Sequence, residues 1–232
     1  MLTNYFERQE TARSGDREAV RARHGIRPDE RLIVYTGSFV ALQALDLLLE
    51  AAPRVLAAVP SARFLLVGGS EPEIAELRAL ADRLGIADRV LLERARPQAQ
   101  IPGYLAAADV LVSPRVQGIN PPGKLLSYLA SGRPVVATDT LVHNQLLTAD
   151  CAILTRPDAA GLAEGLVLAL TDTALTAKLA EGSERALARL CCQSVRDAAY
   201  EEIAAAVRAA GALRRKDPAH LVSSQHSPNH RH

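Results

Sequence analysis

Six short, almost uninterrupted apolar runs alternate with helical patterns along this chain, and they constrain its fold more than any other feature. Leu32-Ile33-Val34-Tyr35 comes first and is followed by an amphipathic stretch from about Leu45 to Val59. Phe64–Val67 stops at Gly68-Gly69, and Glu71–Leu84 follows with apolar positions at Ile74, Leu77, Leu80 and Leu84. Val90-Leu91-Leu92 precedes a short helical pattern over Ile101–Ala108, and the runs Val110-Leu111-Val112, Val135-Val136-Ala137 and Cys151–Leu154 complete the series. Strands without polar alternation need cover on both faces, which a parallel sheet between two helical layers provides. The expected class is therefore α/β, a single doubly wound parallel sheet with helices on both faces. A helical C-terminal extension follows. Its apolar stripes are Leu162, Leu166 and Ala169, then Leu175, Leu179, Leu187 and Leu190, then Val195, Ala199, Ile203 and Val207 over roughly Ser194–Ala210.

The boundaries expected are a loose segment over 1–17, one domain over 18–210 and a polar, disordered tail over 211–232, where Pro218, Pro228 and scattered histidines stand. A net charge of +1 and 3% aromatic residues give no electrostatic or stacking surface for nucleic acid. Cys151, Cys191 and Cys192 are an odd set with two adjacent members, which fits a reducing, cytoplasmic setting better than a disulfide framework. Met1–Glu10 carries charges and no apolar core, unlike a secretory leader. Leu45–Ala58 is broken by Asp46, Glu50 and Arg54, so no transmembrane segment is expected. His220, His226, His230 and His232 lack zinc-ligand spacing, and no metal is expected.

In open α/β sheets ligands gather beyond the carboxyl ends of the strands. The residues at those ends are Gly37, Ser38 and Gln43 after the first run, Gly68 and Gly69 after the second, and Arg96 after the third. After the fourth comes Ser113–Gly132, containing Arg115, Gln117, Asn120, Pro121, Pro122, Gly123 and Lys124. This segment reads as strand end, loop, short helix and stop. Asn120 suits a helix cap, Pro121 a first helical position, and Gly132 with Pro134 ends the helix. Helix-start amides together with Lys124, one of only three lysines beside 24 arginines, suit a diphosphate. G-x-G-x-x-G and G-x-x-x-x-G-K-[ST] are both missing after the first strand, which argues against dinucleotide and ATP-hydrolysing sites. The plain alternative is that the glycines merely end strands. Similarly, Arg115 reads either as a phosphate ligand or a solvated charge, His143 as a surface residue or one facing the cleft, and Asp109 as a local cap or pair.

Four stretches in order resemble the C-terminal half of the family 4-like, or group 1, glycosyltransferases. They are Tyr35-Thr36-Gly37-Ser38 with Gln43–Ala51, Leu65–Gly69, Ala107–Pro114, and Tyr128–Thr138. The resemblance runs from about Asp16 to Ile203. It implies one Rossmann-like half of a GT-B fold, whose C-terminal half binds a nucleotide-sugar donor. The strand-end reading and the resemblance together give as expected donor contacts Gly37, Ser38, Gln43, Gly68, Gly69, Arg96, Arg115, Asn120, Gly123, Lys124 and Ser127, and no metal cofactor is expected.

The departures from the family are specific. Its usual Arg and Lys beside the donor diphosphate correspond to Ser38 and Gln43. The second of its paired glutamates corresponds to Ser127, while Gln117-Gly118 stands near the first. Pro122-Gly123-Lys124 matches a Pro-x-Lys variant. No counterpart of the acceptor-holding N-terminal domain is present in the sequence. The resemblance thus implies transfer of a sugar from a UDP- or GDP-sugar to an acceptor held by a missing N-terminal domain or a partner subunit. The alternative is a non-catalytic nucleotide- or protein-binding scaffold built on the same fold.

Overall fold

The computed structural model describes residues 14–190. The six apolar runs form six parallel strands: β1 Arg31–Thr36, β2 Ala62–Gly69, β3 Val90–Arg94, β4 Val110–Ser113, β5 Val135–Thr138 and β6 Ile153–Thr155. The helices are α1 Ser14–Arg23, α2 Leu45–Ala58, α3 Glu71–Arg83, α4 Ile101–Ala107, α5 Lys124–Ala130, α6 Leu141–Asn144, α7 Ala159–Thr171 and α8 Thr173–Leu190. Strand order is β3-β2-β1-β4-β5-β6. The sheet grows from β1 in one direction through β2 and from β4 in the other, so its order reverses between β1 and β4. A crevice for a ligand opens at that point.

Alternate residues of each strand serve different cores. Ile33, Tyr35, Phe64 and Leu66 join Leu48, Leu49 and Val55 of α2 and Leu162 and Leu166 of α7. Leu32, Val34, Leu65 and Val67 join Tyr104 and Leu105 of α4, Leu125, Tyr128 and Leu129 of α5, and Ala186 of α8. Both faces are covered, which explains why the strands show no polar alternation. No single helix among the described residues is long and apolar enough to cross a membrane.

Several expectations change. The stretch expected to be loose up to residue 17 is helical from Ser14, because α1 is tied to the distant end of α4. Arg17 donates to the Ala106 carbonyl at 2.8 Å and to Asp109 at 3.0 Å, and Arg21 donates to Asp109 at 3.2 Å and to the Glu30 carbonyl at 2.7 Å. Asp109 also accepts the Leu32 amide at 2.7 Å. Its role is structural, but its partners lie far away in sequence rather than nearby. The last strand begins at Ile153, two residues later than expected, because Cys151 closes a turn onto the Thr148 carbonyl. The helix expected over Ser194–Ala210, the 211–232 tail and residues 1–13 lie outside the described residues.

Candidate anion-binding cleft

At the reversal point, the turn after β1 and the loop before α5 enclose a cleft of about 610 Å³. Seven of the expected donor contacts line it: Gly37, Ser38, Gln43, Arg115, Asn120, Gly123 and Lys124. Leu42, Gly118, Ile119, Pro121 and Pro122 complete the wall. The lining carries two cations, Arg115 and Lys124, and no carboxylate.

Lys124 is half-buried at the first position of α5. Its ammonium donates to Gln43 Oε1 at 3.0 Å and lies 3.7 Å from the centroid of the Tyr35 ring. A quadrupole and an amide oxygen replace part of the water around the charge, but neither neutralises it. Burial, and after it the positive charge of Arg115, hold the Lys124 pKa well below its ordinary value. An incoming anion would relieve both effects.

Tyr35 shapes the opposite wall from below. Its hydroxyl donates to the Ser38 carbonyl at 2.8 Å and so pins the turn after β1. Its ring is fully buried beneath the ammonium. The sequence reading missed this residue; the available signal was a tyrosine closing the first strand in a chain with few aromatics. On the other wall, the Arg115 side chain donates through Nε to the Gln117 carbonyl at 2.7 Å. Its own carbonyl accepts from Thr138 Oγ1 at 2.6 Å. The guanidinium packs over Gly118, where a side chain would collide with it.

The expected helix start fails. α5 begins at Lys124 with Gly123 as its cap, and Asn120 makes no side-chain capping bond. Pro122 accounts for this, since a proline disfavours the helical conformation for the residue before it, here Pro121. Gly132 does end the helix, with φ of 65°. Asn120 remains an exposed residue of the cleft wall.

The remaining sequence candidates lie elsewhere. Gly68, with φ of 135°, packs directly behind Gly37, and a side chain there would strike the Gly37 carbonyl. Gly69 faces the Phe39 ring in the same way. These two glycines support the turn rather than line the cleft. Arg96 lies two residues beyond edge strand β3, donating to both carboxylate oxygens of Glu93 at 3.1 and 2.9 Å. Ser127 is buried on α5 outside the lining. His143 is neither a surface residue nor open to the cleft. It is fully buried, with Nδ1 2.8 Å from the Thr138 carbonyl and Nε2 2.9 Å from Ser113 Oγ. The carbonyl assigns the proton to Nδ1, so Nε2 accepts from the serine. Burial lowers its pKa to about 4, leaving it neutral. Among the described residues no group of three or more His, Cys, Asp or Glu side chains stands ready for a metal ion.

The family model described as "Glycosyl transferases group 1" matches residues 30–172. A D-inositol 3-phosphate glycosyltransferase of Segniliparus rotundus is 38% identical over 107 residues, covering 44% of this chain and 23% of that protein. A GDP-mannose-dependent alpha-(1-6)-phosphatidylinositol monomannoside mannosyltransferase of Mycolicibacterium smegmatis is 33% identical over 127 residues, covering 52% of this chain and 33% of that protein. These matches span a third or less of the curated relatives. Among solved structures, Anabaena HepE in complex with UDP-glucose superposes with a TM-score of 0.69 at 21% identity, over 77% of this chain and 49% of that one. The C-terminal domain of a group 1 glycosyl transferase, LpcC of Francisella tularensis, superposes with a TM-score of 0.65 at 17% identity, over 78% of this chain and 96% of that domain.

Proposed function

The chain belongs to the group 1 glycosyltransferases, and on that premise we propose that it is the donor-binding side of such an enzyme. A nucleoside-diphosphate sugar lies in the cleft, its diphosphate between the Gly37-Ser38 turn and the Lys124 ammonium. The acceptor is held by a second domain or a partner subunit. UDP and GDP are the two nucleotides favoured, since HepE is in complex with UDP-glucose and the Mycolicibacterium relative is GDP-mannose-dependent. The observation that carries the reading is the cleft lining, in which Arg115 and Lys124 face one space with no carboxylate to answer them.

The chemistry follows from that charge. When the bond between sugar and diphosphate breaks, the leaving nucleoside diphosphate gains negative charge. A cation already placed beside it stabilises the transition state more than the bound substrate. Lys124 and Arg115 supply this stabilisation in the proposed site, and no resident metal is needed for the role.

The test is a titration at low salt with UDP, GDP and ADP and with their monophosphates. One diphosphate is expected to bind, and its monophosphate to bind at least about tenfold more weakly, the scale of one lost charged hydrogen bond. Equal affinity for both would contradict a diphosphate site. A protein-binding scaffold on the same fold is the competing reading, favoured by Ile119, an apolar residue of the cleft wall that is 86% accessible. It predicts no nucleotide binding at all.

A further inference from the structure

Lys124 reaches the cleft from the α5 wall, and Gln43 meets it from the β1–α2 wall at 3.0 Å. Gln43 ends a single turn of 3-10 helix, Ala41–Gln43, and is followed by Ala44 with φ of 51°. Ala44 is the one residue other than glycine with positive φ among the described residues. A side-chain-bearing residue adopts that conformation at a cost, and the cost is tolerated where the local geometry is fixed by its surroundings. Here it turns the chain sharply between Gln43 and the start of α2. Tyr35, from the same wall, supplies the ring beneath the ammonium.

We infer that Gln43 is a positioning residue, whose amide oxygen holds the Lys124 ammonium in place for the donor diphosphate. An amide oxygen suits the task better than either charged alternative. A carboxylate at this position would pair with the ammonium and compete with the anion, and a second ammonium would repel the first. The charge at this point of the cleft is thus delivered by α5 and aimed from the β1 side. This inference rests on the donor reading of the cleft for its purpose, but the pairing itself is measurable without any ligand.

The full chain contains only three lysines, so lysine labelled with 13C at Cε gives three signals, and Lys124→Ala identifies the one of interest. The ammonium is bonded to Gln43 and lies over Tyr35, and the other titratable or charged groups near enough to act on it are Arg115 and buried His143. Gln43→Leu is expected to lower the titration midpoint of the Lys124 signal and Gln43→Glu to raise it, with the other two lysines unmoved. An unmoved midpoint in both variants overturns the pairing. In the nucleotide titration, Gln43→Leu is expected to weaken diphosphate binding about tenfold. In a Lys124→Ala background it should then add no further loss. Losses that simply add would show that Gln43 does not act through Lys124, and would overturn the inference. Midpoints that shift as expected in a chain that binds no nucleotide would support the pairing and overturn the donor reading.

Discussion

At the scale of single residues, two buried or half-buried bases have opposite meanings. Lys124 is a cation kept waiting, because burial and Arg115 oppose its charge and no carboxylate compensates. Diphosphate affinity should therefore fall as pH rises through a midpoint below that of an ordinary lysine; a fall only at the ordinary lysine value would show that Lys124 is not the cation involved. His143 is a base kept neutral for structural reasons. Its folded pKa, about 4, lies below its unfolded value, so its stabilising contribution is complete above about pH 6.5 and is lost as pH falls toward 4. The shift corresponds to about 3 kcal/mol across that window. Urea midpoints at pH 7 and pH 4.5 should show this slope in the parent protein and a flatter one in His143→Gln. Equal slopes would mean that His143 is not the group responsible. Nothing in the sequence distinguished these two residues by burial. Their environments are made by residues from distant parts of the chain, Gln43 for the lysine and Ser113 for the histidine.

At the scale of elements, the apolar runs located each strand among the described residues, because a strand covered on both faces must be apolar throughout. The loops were less legible. Asn120 and Pro121 carry good helix-start chemistry, yet Pro122 overrides them and moves the start to Lys124. Gly68 and Gly69 read as a phosphate cradle, but their lack of side chains serves the packing of β2 against Gly37 and Phe39. Gly68→Ala should accordingly destabilise the fold by about 3 kcal/mol, from an unfavourable φ together with a backbone collision, and lower the urea midpoint. A midpoint within error of the parent would contradict this crowding. The helix at the N-terminal end was missed for a different reason. Arg17 and Arg21 look like solvated charges in an arginine-rich sequence, and only the fold brings them to Asp109. Asp109→Ala leaves two largely enclosed guanidinium groups without their carboxylate and should cost about 3 kcal/mol. Hydrogen exchange in α1 would rise with it; unchanged protection there would place the anchor elsewhere.

At the scale of the whole molecule, the chain spans a third or less of the curated relatives it matches and about half of the HepE structure. It covers nearly the whole of a C-terminal domain from the same family. The sequence was enough to identify that family, since four stretches stood in the right order. The cleft's chemistry was only partly legible, since neutral Ser38 and Gln43 conceal that the positive charge comes from α5 and Arg115. A ligand that binds only the folded state stabilises it by mass action, about 2.7 kcal/mol at one hundred times its dissociation constant. A nucleoside diphosphate should therefore raise the melting temperature of this chain, and far less so in Lys124→Ala at equal concentration. The most direct measurement is calorimetric titration of the preferred nucleoside diphosphate into the parent chain and Lys124→Ala, at low ionic strength. A donor site centred on Lys124 predicts specific binding that the substitution weakens by about 1–3 kcal/mol. The same affinity in both proteins would remove Lys124 from the site and contradict the proposed function of the cleft.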